Sequence, residues 1–404
     1  MIPDCDFLSA EMVENPHPYL HRLRAEDPVH WSRAHRAWIL TRYDDVSAAF
    51  LDHKRISSRR LGSLLPTDST EEEQEGFDPI YRLLGNWMVF QDPPDHARLR
   101  RLARAAFSGR MISRLRTDIE TLVDELIGDV EREGTCDFVS TFAYPLPATV
   151  IAKMLGIPER DLDRFRGWSE EIKPLVFGGA GRDARLDRAM NGLRALEAFL
   201  RELFDRYQRE PGENLMTELG RAEEKGDVLS ADEVTATCLL LLFAGHETTT
   251  NLIGTSMLHL ARHPDERRRI AEGRGLATSA VEEMLRYDGP SKVMVRLADE
   301  SFELRGKQIE KGQRLILCQA AANRDPEAFP DPDRIDVGRD PNEHVAFGLG
   351  IHFCLGAPLA RLEAEIALGE LARRLPDLRV TTPRPQWQPH VLGRGLISLP
   401  ISVS

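Results

Sequence analysis

The feature that most constrains the fold of this chain is one long helix signal near residue 240. Ser230 and Glu233 form a capping-box pattern, in which the two side chains satisfy free N–H groups at a helix N-terminus. No proline follows until His263-Pro264, where the helix is expected to end. At 1.5 Å per residue such a helix is a rod of about 50 Å, which must cross the middle of a domain. The sequence therefore predicts a mostly helical fold built around this rod.

The centre of this helix carries polar residues where an ordinary core helix would carry leucines. Residues 244–250 read Ala-Gly-His-Glu-Thr-Thr-Thr. Glycine costs about 1 kcal/mol relative to alanine in a helix, and threonine hydroxyls bond back to preceding carbonyls and loosen the helical ladder. Glu247 and Thr248 are therefore candidate functional residues. A helix that merely tolerates these residues explains the segment about equally well when it is considered alone.

A single cysteine lies in a glycine-rich loop that precedes a second clear helix. The loop runs from Phe347 to Gly356, contains Cys354 and leads into an apolar pattern that includes Leu359 and Leu362. A helix N-terminus favours a thiolate, and the glycines allow close approach to a bulky group. A phosphate loop does not fit, because residue 353 is phenylalanine where a dinucleotide fingerprint needs glycine, and no Gly-Lys-Thr is present.

The spacing of the other cysteines limits the chemical roles open to Cys354. All five cysteines occur singly with no C-x-x-C pair, which fits neither a disulfide framework nor a four-ligand zinc site. No familiar pattern supplies a histidine base and an orienting group for a cysteine nucleophile. A buried small hydrophobe is the commoner use of a lone cysteine. A thiolate ligand for haem iron accounts for the loop, the glycines and the helix together.

Composition limits the class of protein. With 42% hydrophobic and 29% charged residues the chain is typical of a soluble globular protein, and its net charge of −12 disfavours a general nucleic-acid binder. The first residues lack a basic segment followed by an apolar core, and the longest apolar run, Cys238 to Gly245, is too short to cross a bilayer. We therefore expect a cytoplasmic protein with no membrane and no nucleic-acid partner.

The pattern along the chain predicts one continuous domain over residues 1–404, with no repeat, no linker and no fused reductase. Short apolar runs at Val29–Trp31 and Ala37–Leu40 predict a hairpin that leads into a helix over Asp44–Phe50. Further strands are expected within Phe302–Leu317 and after Pro376. Two segments, Gly62–Gly76 and Phe177–Arg182, are expected to be surface loops.

Three motifs in order resemble those of the cytochrome P450 superfamily, specifically its soluble bacterial members. The ligand loop F-x-x-G-x-H/R-x-C-x-G is matched by residues 347–356, the central-helix motif [A/G]-G-x-[D/E]-T by residues 244–248, and E-x-x-R by residues 283–286. Glutamate at 247 departs from the aspartate of many relatives. The resemblance spans residues from about 15 to 400. It implies a mainly α cytochrome P450 fold, a single helical domain with small β-sheets, in which haem is buried between the long helix and the cysteine loop.

The resemblance also implies roles for particular residues around haem b, the expected cofactor. Cys354 would be the iron ligand, and Phe347 and the backbone N–H groups after Cys354 would shield its sulfur. Gly348 would also contact the haem, and Glu247 and Thr248 would be the catalytic proton-delivery pair. Charge-assisted donors would hold the two propionates, with His96 and Arg100 on one and Arg296 and His352 on the other. Glu283 and Arg286 would form a structural network, with Arg334 as its third member.

The implied activity is insertion of one oxygen atom from O2 into a small, hydrophobic organic substrate. Electrons would come from a separate ferredoxin and NAD(P)H-dependent reductase. A basic patch is formed by Arg98, Arg101, Arg104 and Arg110, and a docking surface for an acidic ferredoxin and an ordinary solvated helix face explain it about equally well. Apolar pocket lining is expected from four segments: Trp87–Val89, Leu240–Ala244, Ser291–Val295 and Val391–Leu392. The alternatives are a peroxide-driven peroxygenase, which would usually lack the acid–alcohol pair, and a haem-thiolate sensor, which should carry an output domain.

Overall fold

A computed structural model of the chain describes residues 4–61, 84–107, 109–178, 183–224, 226–273 and 275–403. The helices in these ranges are α1 (Ala10–Glu14), α2 (His17–Glu26), α3 (Tyr43–Leu51), α4 (Asp95–Ala106), α5 (Gly109–Glu133), α6 (Pro145–Leu155), α7 (Leu162–Phe177), α8 (Asp183–Arg209), α9 (Leu215–Arg221), α10 (Ala231–Arg262), α11 (Pro264–Glu272), α12 (Leu276–Asp288), α13 (Gln319–Ala322) and α14 (Ala357–Arg374). The mainly helical fold expected from the sequence is confirmed. None of the helices among the described residues is long and apolar enough to cross a bilayer.

The long helix α10 begins and ends where its sequence signals predict. Ser230 accepts from the N–H of Glu233, the Glu233 carboxylate accepts from the N–H of Ser230, and His263 caps the C-terminal end. The helix is buried along most of its length, and α6, α8 and α14 pack against it. It therefore forms the centre of the main hydrophobic core.

The strands are short and lie at the edges of the helical body. They are β1 (Val29–Ser32), β2 (Ala37–Leu40), β3 (Ile56–Ser57), β4 (Thr135–Asp137), β5 (Glu223–Glu224), β6 (Asp227–Val228), β7 (Met294–Ala298), β8 (Phe302–Leu304), β9 (Lys307–Ile309), β10 (Arg314–Leu317), β11 (Arg379–Val380), β12 (Gln386–Trp387), β13 (Leu396–Ser398) and β14 (Pro400–Ser402). The predicted hairpin is β1–β2, and the strands expected within Phe302–Leu317 and after Pro376 are present. The loop expected at Gly62–Gly76 lies outside the described residues, as do residues 179–182 of the second loop.

One five-stranded sheet positions part of the functional site. Its strand order is β1-β2-β10-β7-β3, with β2 and β10 parallel and the other pairs antiparallel. In this register Leu315 of β10 lies opposite both Trp38 of β2 and Arg296 of β7. The register thereby fixes Arg296, one of the predicted propionate ligands, at a defined point on a central strand.

Candidate active site

A cavity of about 270 Å³ lies between the long helix α10 and the cysteine loop. One wall is a face of α10 that includes Ala244, Gly245 and Thr248, and another is the loop around Cys354 with the start of α14. Its mostly apolar walls with a few convergent polar groups are typical of a site for a small molecule or cofactor. The sequence prediction that these two distant segments enclose one site is confirmed.

The cysteine loop is held in shape by its own backbone and by helix α3. The N–H of Cys354 donates to the carbonyl of Phe347 at 3.0 Å, which closes the loop around the sulfur. Gly350 has a φ of +68° and lies against α3, where a Cβ atom would come within 3.2 Å of the Phe50 carbonyl oxygen. Any other residue would be strained there and would push the loop away from α3. The guanidinium carbon of Arg361 lies 4.6 Å from the ring centroid of Phe347.

Opposing effects act on the thiol of Cys354. Burial raises its pKa, whereas hydrogen bonds from the backbone N–H groups of Gly356 and Ala357 and the charges of Arg100 and Arg361 lower it. The net pKa is raised, so the helix N-terminus alone does not produce the thiolate that the sequence predicts. A bound metal cation would replace the proton, because a coordinating thiol is deprotonated outright.

Four cationic or ionisable side chains gather beside this loop. The ring centroids of His96 and His352 are 4.0 Å apart, and Nη2 of Arg100 donates to the carbonyl of Phe353 at 2.5 Å. Arg296 is buried, and among the described residues no carboxylate lies within 4.0 Å of its guanidinium. The sequence-predicted propionate ligands thus line a single cavity.

The charges and free donors of these four side chains fit a bound anion. Burial lowers the pKa of His96 to about 4 and of His352 to about 2, and lowers that of Arg296 to about 10. Nε2 of His96 is buried and has no hydrogen-bond partner among the described residues. Buried donors and cations without an anion are costly, and two carboxylates would satisfy them. The residues therefore fit a group that carries a pair of propionates.

Two residues near this group were not foreseen from the sequence. Ser58 Oγ lies 2.9 Å from Nε2 of His352 and holds that ring in place. Arg60 is buried close to Arg296, and burial followed by the charge of Arg296 lowers the pKa of Arg60 to about 9. Both lie in an irregular segment after β3, so no periodic pattern in the sequence marks them as inward-facing.

Helix α10 places the two candidate catalytic residues, Thr248 and Glu247, on different faces. Oγ1 of Thr248 donates to the carbonyl of Ala244 at 2.6 Å, and Thr248 lines the cavity. Thr249 bonds back to Gly245 in the same way, at 2.9 Å. The back-bonding predicted from the threonines is present, and the helix continues unbroken through it.

Glu247 points away from the cavity. Its carboxylate is buried and forms an ion pair with Nζ of Lys173 of α7 at 3.0 Å. Burial raises the pKa of Glu247, but Lys173 and His246 lower it further, so the net pKa is below the usual value. The structure therefore brings Thr248 into the cavity and places the adjacent carboxylate on another face of the helix, joined to α7.

Comparison with known proteins identifies the family that has this cavity, cysteine loop and helix motif. The family model described as Cytochrome P450 matches residues 188–273 and 274–390. The chain belongs to the cytochrome P450 family. Members of this family bind haem b, and relatives of this chain are named as monooxygenases and hydroxylases, so this P450 is a haem-dependent oxidoreductase.

Individual relatives match this P450 over nearly its whole length. Vitamin D(3) 25-hydroxylase of Pseudonocardia autotrophica is 38% identical over 404 residues, which cover 98% of this chain and 96% of the relative. The polyketide biosynthesis cytochrome P450 PksS of Bacillus subtilis (strain 168) is 37% identical, covering 98% and 97%. The structure is similar to that of P450BioI in complex with hexadec-9Z-enoic acid ligated acyl carrier protein, with a TM-score of 0.89 and 34% identity over 98% of this chain and 99% of that one.

The structure corrects one residue of the predicted Glu-Arg-Arg network. The fully buried Glu283 carboxylate accepts two bonds of 2.8 Å from Arg286, as predicted. The third member is Arg339, whose Nε lies 3.1 and 3.3 Å from the two oxygens, and not Arg334. The Arg334 side chain is exposed, and only its carbonyl oxygen faces inward, where it accepts from Arg286 and Arg339 at 3.2 Å each.

Part of the predicted lining is also corrected. Met88, Val89, Leu240 and Ser291 line the cavity as expected. Val391 and Leu392 do not, because they pack against a separate hydrophobic cluster of the N-terminal segment and the sheet.

Proposed function

We propose that this P450 hydroxylates a small, largely apolar molecule, with electrons from a separate ferredoxin and NAD(P)H-dependent reductase. The observation that carries the proposal is the apolar cavity that runs from Thr248 on α10 to the cysteine loop. Its aliphatic lining includes Leu240, Leu241 and Met294, which favour an apolar guest by burial of its surface.

The few polar groups in the cavity limit what else the substrate carries. Ser291 Oγ lies 2.9 Å from Oε1 of Gln319, and Nε2 of Gln319 donates to the carbonyls of Val345 and Ala346. These groups already satisfy one another, so they offer little to a charged substrate. Relatives support a bulky apolar guest: one is named a vitamin D(3) hydroxylase, another a 6-deoxyerythronolide B hydroxylase, and similar structures hold corticosterone and testosterone.

The haem supplies the oxygen-activating and oxygen-inserting chemistry when it is bound. In this proposal Cys354 ligates its iron, and the ring of Phe347 and the backbone of Gly348 cover the sulfur from water. His96, Arg100, Arg296 and His352 bind the propionates, which neutralises the buried cations described above. Ser58 orients His352 for that contact.

In this proposal Thr248 and Glu247 have separate roles in proton delivery. The Thr248 hydroxyl lies in the cavity and holds a proton donor beside the reacting oxygen. Glu247 lies outside the cavity wall and is bound to Lys173. Lys173 has a second acidic partner, the exposed Glu170, which lies 2.8 Å from its Nζ. In this proposal Glu170, Lys173 and Glu247 link solvent to the segment of α10 that carries Thr248.

The ferredoxin docks over the cysteine loop through apolar as well as charged contacts. Arg98 is paired with Asp227 at 3.2 Å and contacts Glu233, and Arg101 lies 3.8 Å from Asp227, so half of the predicted basic patch is already neutralised. Arg104 is exposed, and the side chain of Arg110 lies outside the described residues. The exposed side chains of Phe353, in this loop, and of Leu51, which lies against Gly350, supply apolar contact area.

The decisive experiment combines ligand titration with turnover. Apolar compounds such as steroids and macrolactones should displace water from the haem and shift its Soret band, whereas charged analogues of equal size should not. A compound that shifts the band should yield a product heavier by one oxygen atom when NADH, a surrogate ferredoxin and its reductase are added. Turnover with hydrogen peroxide alone at an equal rate would contradict the need for ferredoxin.

A further inference from the structure

A second cavity, of about 600 Å³, shares no lining residue with the haem cavity. It lies where the start of α2, the C-terminal end of α10, the end of α12 and residues 383–394 meet. Nothing in the proposed oxygenase function uses this cavity. Its lining is rich in histidine and arginine, although the chain as a whole has a net charge of −12.

Two histidine pairs spaced four residues apart face this cavity from two helices. His17 and His21 lie on α2, and His259 and His263 lie at the end of α10. His17 is buried, and neither of its ring nitrogens has a hydrogen-bond partner among the described residues; its Nε2 approaches Asp288 only to 3.4 Å. Nε2 of His21 lies 3.3 Å from Asp333, so both imidazoles of α2 face carboxylates of the same chain.

The two carboxylates at the floor are already neutralised by arginines of the same chain. Nε of Arg394 donates to Asp288 at 3.1 Å, and Nη1 of Arg324 donates to Asp333 at 3.0 Å. His259 also lies 3.0 Å from Asp288. These acidic groups therefore contribute little net negative charge to the cavity.

The rim carries positive charge that is not compensated in this way. Arg262 and Arg384 are exposed, and within the described ranges no carboxylate lies within 4.0 Å of either guanidinium. Nη2 of Arg262 contacts only the carbonyl of Pro383, at 3.5 Å. Glu14 is the remaining acidic side chain of the lining, so two rim arginines oppose one carboxylate.

We propose that this cavity binds a small, multiply charged oxyanion. Arg262 and Arg384 bind it at the rim through charge-assisted hydrogen bonds. A divalent metal fits less well, because no group of histidine, cysteine and acidic residues among those described has metal-ligand spacing and four arginines surround the cavity. Phosphate esters and polycarboxylates share the required chemistry.

The proposal is tested by isothermal titration of the haem-loaded protein with inorganic pyrophosphate and, separately, with citrate. The variant Arg262→Gln/Arg384→Gln should weaken binding of the preferred anion about tenfold or more, because two charge-assisted contacts are lost. Arg268→Gln is the matched control, since Arg268 is an exposed arginine on α11 that pairs with Asp265 and does not line the cavity. An unchanged haem Soret band in all variants separates this result from the proposed oxygenase function.

Preference for pyrophosphate would identify a phosphate-bearing ligand, and preference for citrate a polycarboxylate. Either preference supports the proposal if the double variant loses it and the control retains it. Heat no greater than that of sodium chloride at equal ionic strength would overturn the proposal. Equal weakening in the control, or saturable binding of Zn²⁺ instead of both anions, would also overturn it.

Discussion

Cys354 and Thr248 line one cavity from opposite segments of the chain, and each is held by a backbone contact. The N–H of Cys354 donates to the carbonyl of Phe347, and Thr248 donates to the carbonyl of Ala244. These contacts restrict the backbone at Cys354 and the side chain of Thr248, so the two groups proposed to react are positioned before any ligand binds. Single-residue variants at either position should therefore change the chemistry without changing the fold.

Replacing Cys354 with alanine should abolish the red-shifted Soret band of the reduced, carbon monoxide-bound protein, because that band depends on thiolate ligation. Visible absorption spectroscopy measures it directly. Cys136→Ala is the control, since Cys136 is a half-buried thiol of β4 far along the chain from the ligand loop. Persistence of the band in Cys354→Ala would show that another residue ligates the iron.

Thr248→Ala should still consume NADH with ferredoxin, reductase and substrate, but should form about tenfold less product per NADH and release the difference as hydrogen peroxide. Loss of a positioned proton donor typically costs 10²- to 10⁴-fold in the proton-dependent step, whereas electron transfer is unaffected. Thr250→Ala serves as the control, because Thr250 is buried on a face of α10 that does not line the cavity. Equal ratios in both variants would exclude the role proposed for Thr248.

Pairs of elements are joined by buried charges whose partners are far apart in sequence. Glu283 of α12 is bound by Arg339, and Glu247 of α10 by Lys173 of α7. The capping box of α10 and the E-x-x-R pair could be predicted because their partners are three residues apart on one helix. The choice of Arg339 over Arg334 could not, because it depends on how the irregular segment after Asp331 turns one side chain inward and the other into solvent. The contact of Lys173 with Glu247 likewise depends on tertiary packing.

Arg339→Met should lower the free energy of unfolding by about 3 kcal/mol, because it leaves the buried Glu283 carboxylate with one cation instead of two. Arg334→Met should change it by less than about 0.5 kcal/mol, since an exposed side chain is removed and its carbonyl remains. Urea unfolding of the two variants measures the difference. A larger loss in Arg334→Met would contradict the corrected network.

Lys173→Met should destabilise the protein by about 3 kcal/mol, because the Glu247 carboxylate is then buried without its cation. The double variant Lys173→Met/Glu247→Leu should recover most of that loss, since no buried charge remains. A double-mutant cycle of unfolding free energies measures the coupling between α7 and α10. Additive effects of the two substitutions would show that the ion pair contributes no coupling.

The whole molecule contains many histidines that burial keeps neutral. Burial lowers the pKa of His17 and of His390 to about 4 each, and it also lowers the pKa values of His246 and His259. These rings lie in different parts of the fold, between the helices and at the C-terminal sheet. The unfolded chain therefore binds more protons than the folded chain between about pH 4 and pH 6.5.

Acid should consequently destabilise this P450. A histidine whose pKa is lowered in the folded state contributes stability that is fully present above pH 6.5 and is lost as the pH falls toward 4. For a histidine with a folded pKa of about 4, the stability lost by pH 5 is about 2 kcal/mol. His17→Gln should reduce the difference between urea midpoints at pH 7.5 and pH 5, whereas the exposed His53→Gln should not. An equal pH dependence in His17→Gln and the unaltered protein would contradict this account.

The parallel pairing of β2 with β10 has a consequence for synthesis on the ribosome. Nε1 of Trp38 donates to Oε1 of Gln313, a contact between residues 275 positions apart. The β1–β2 hairpin emerges early, but its inner edge stays unpaired until Arg314–Leu317 have left the exit tunnel, because β10 supplies its hydrogen-bond partners. Such distant pairing slows folding and leaves an unpaired edge available for aggregation. The β2 edge is therefore the part of this sheet that waits longest for its partner during synthesis.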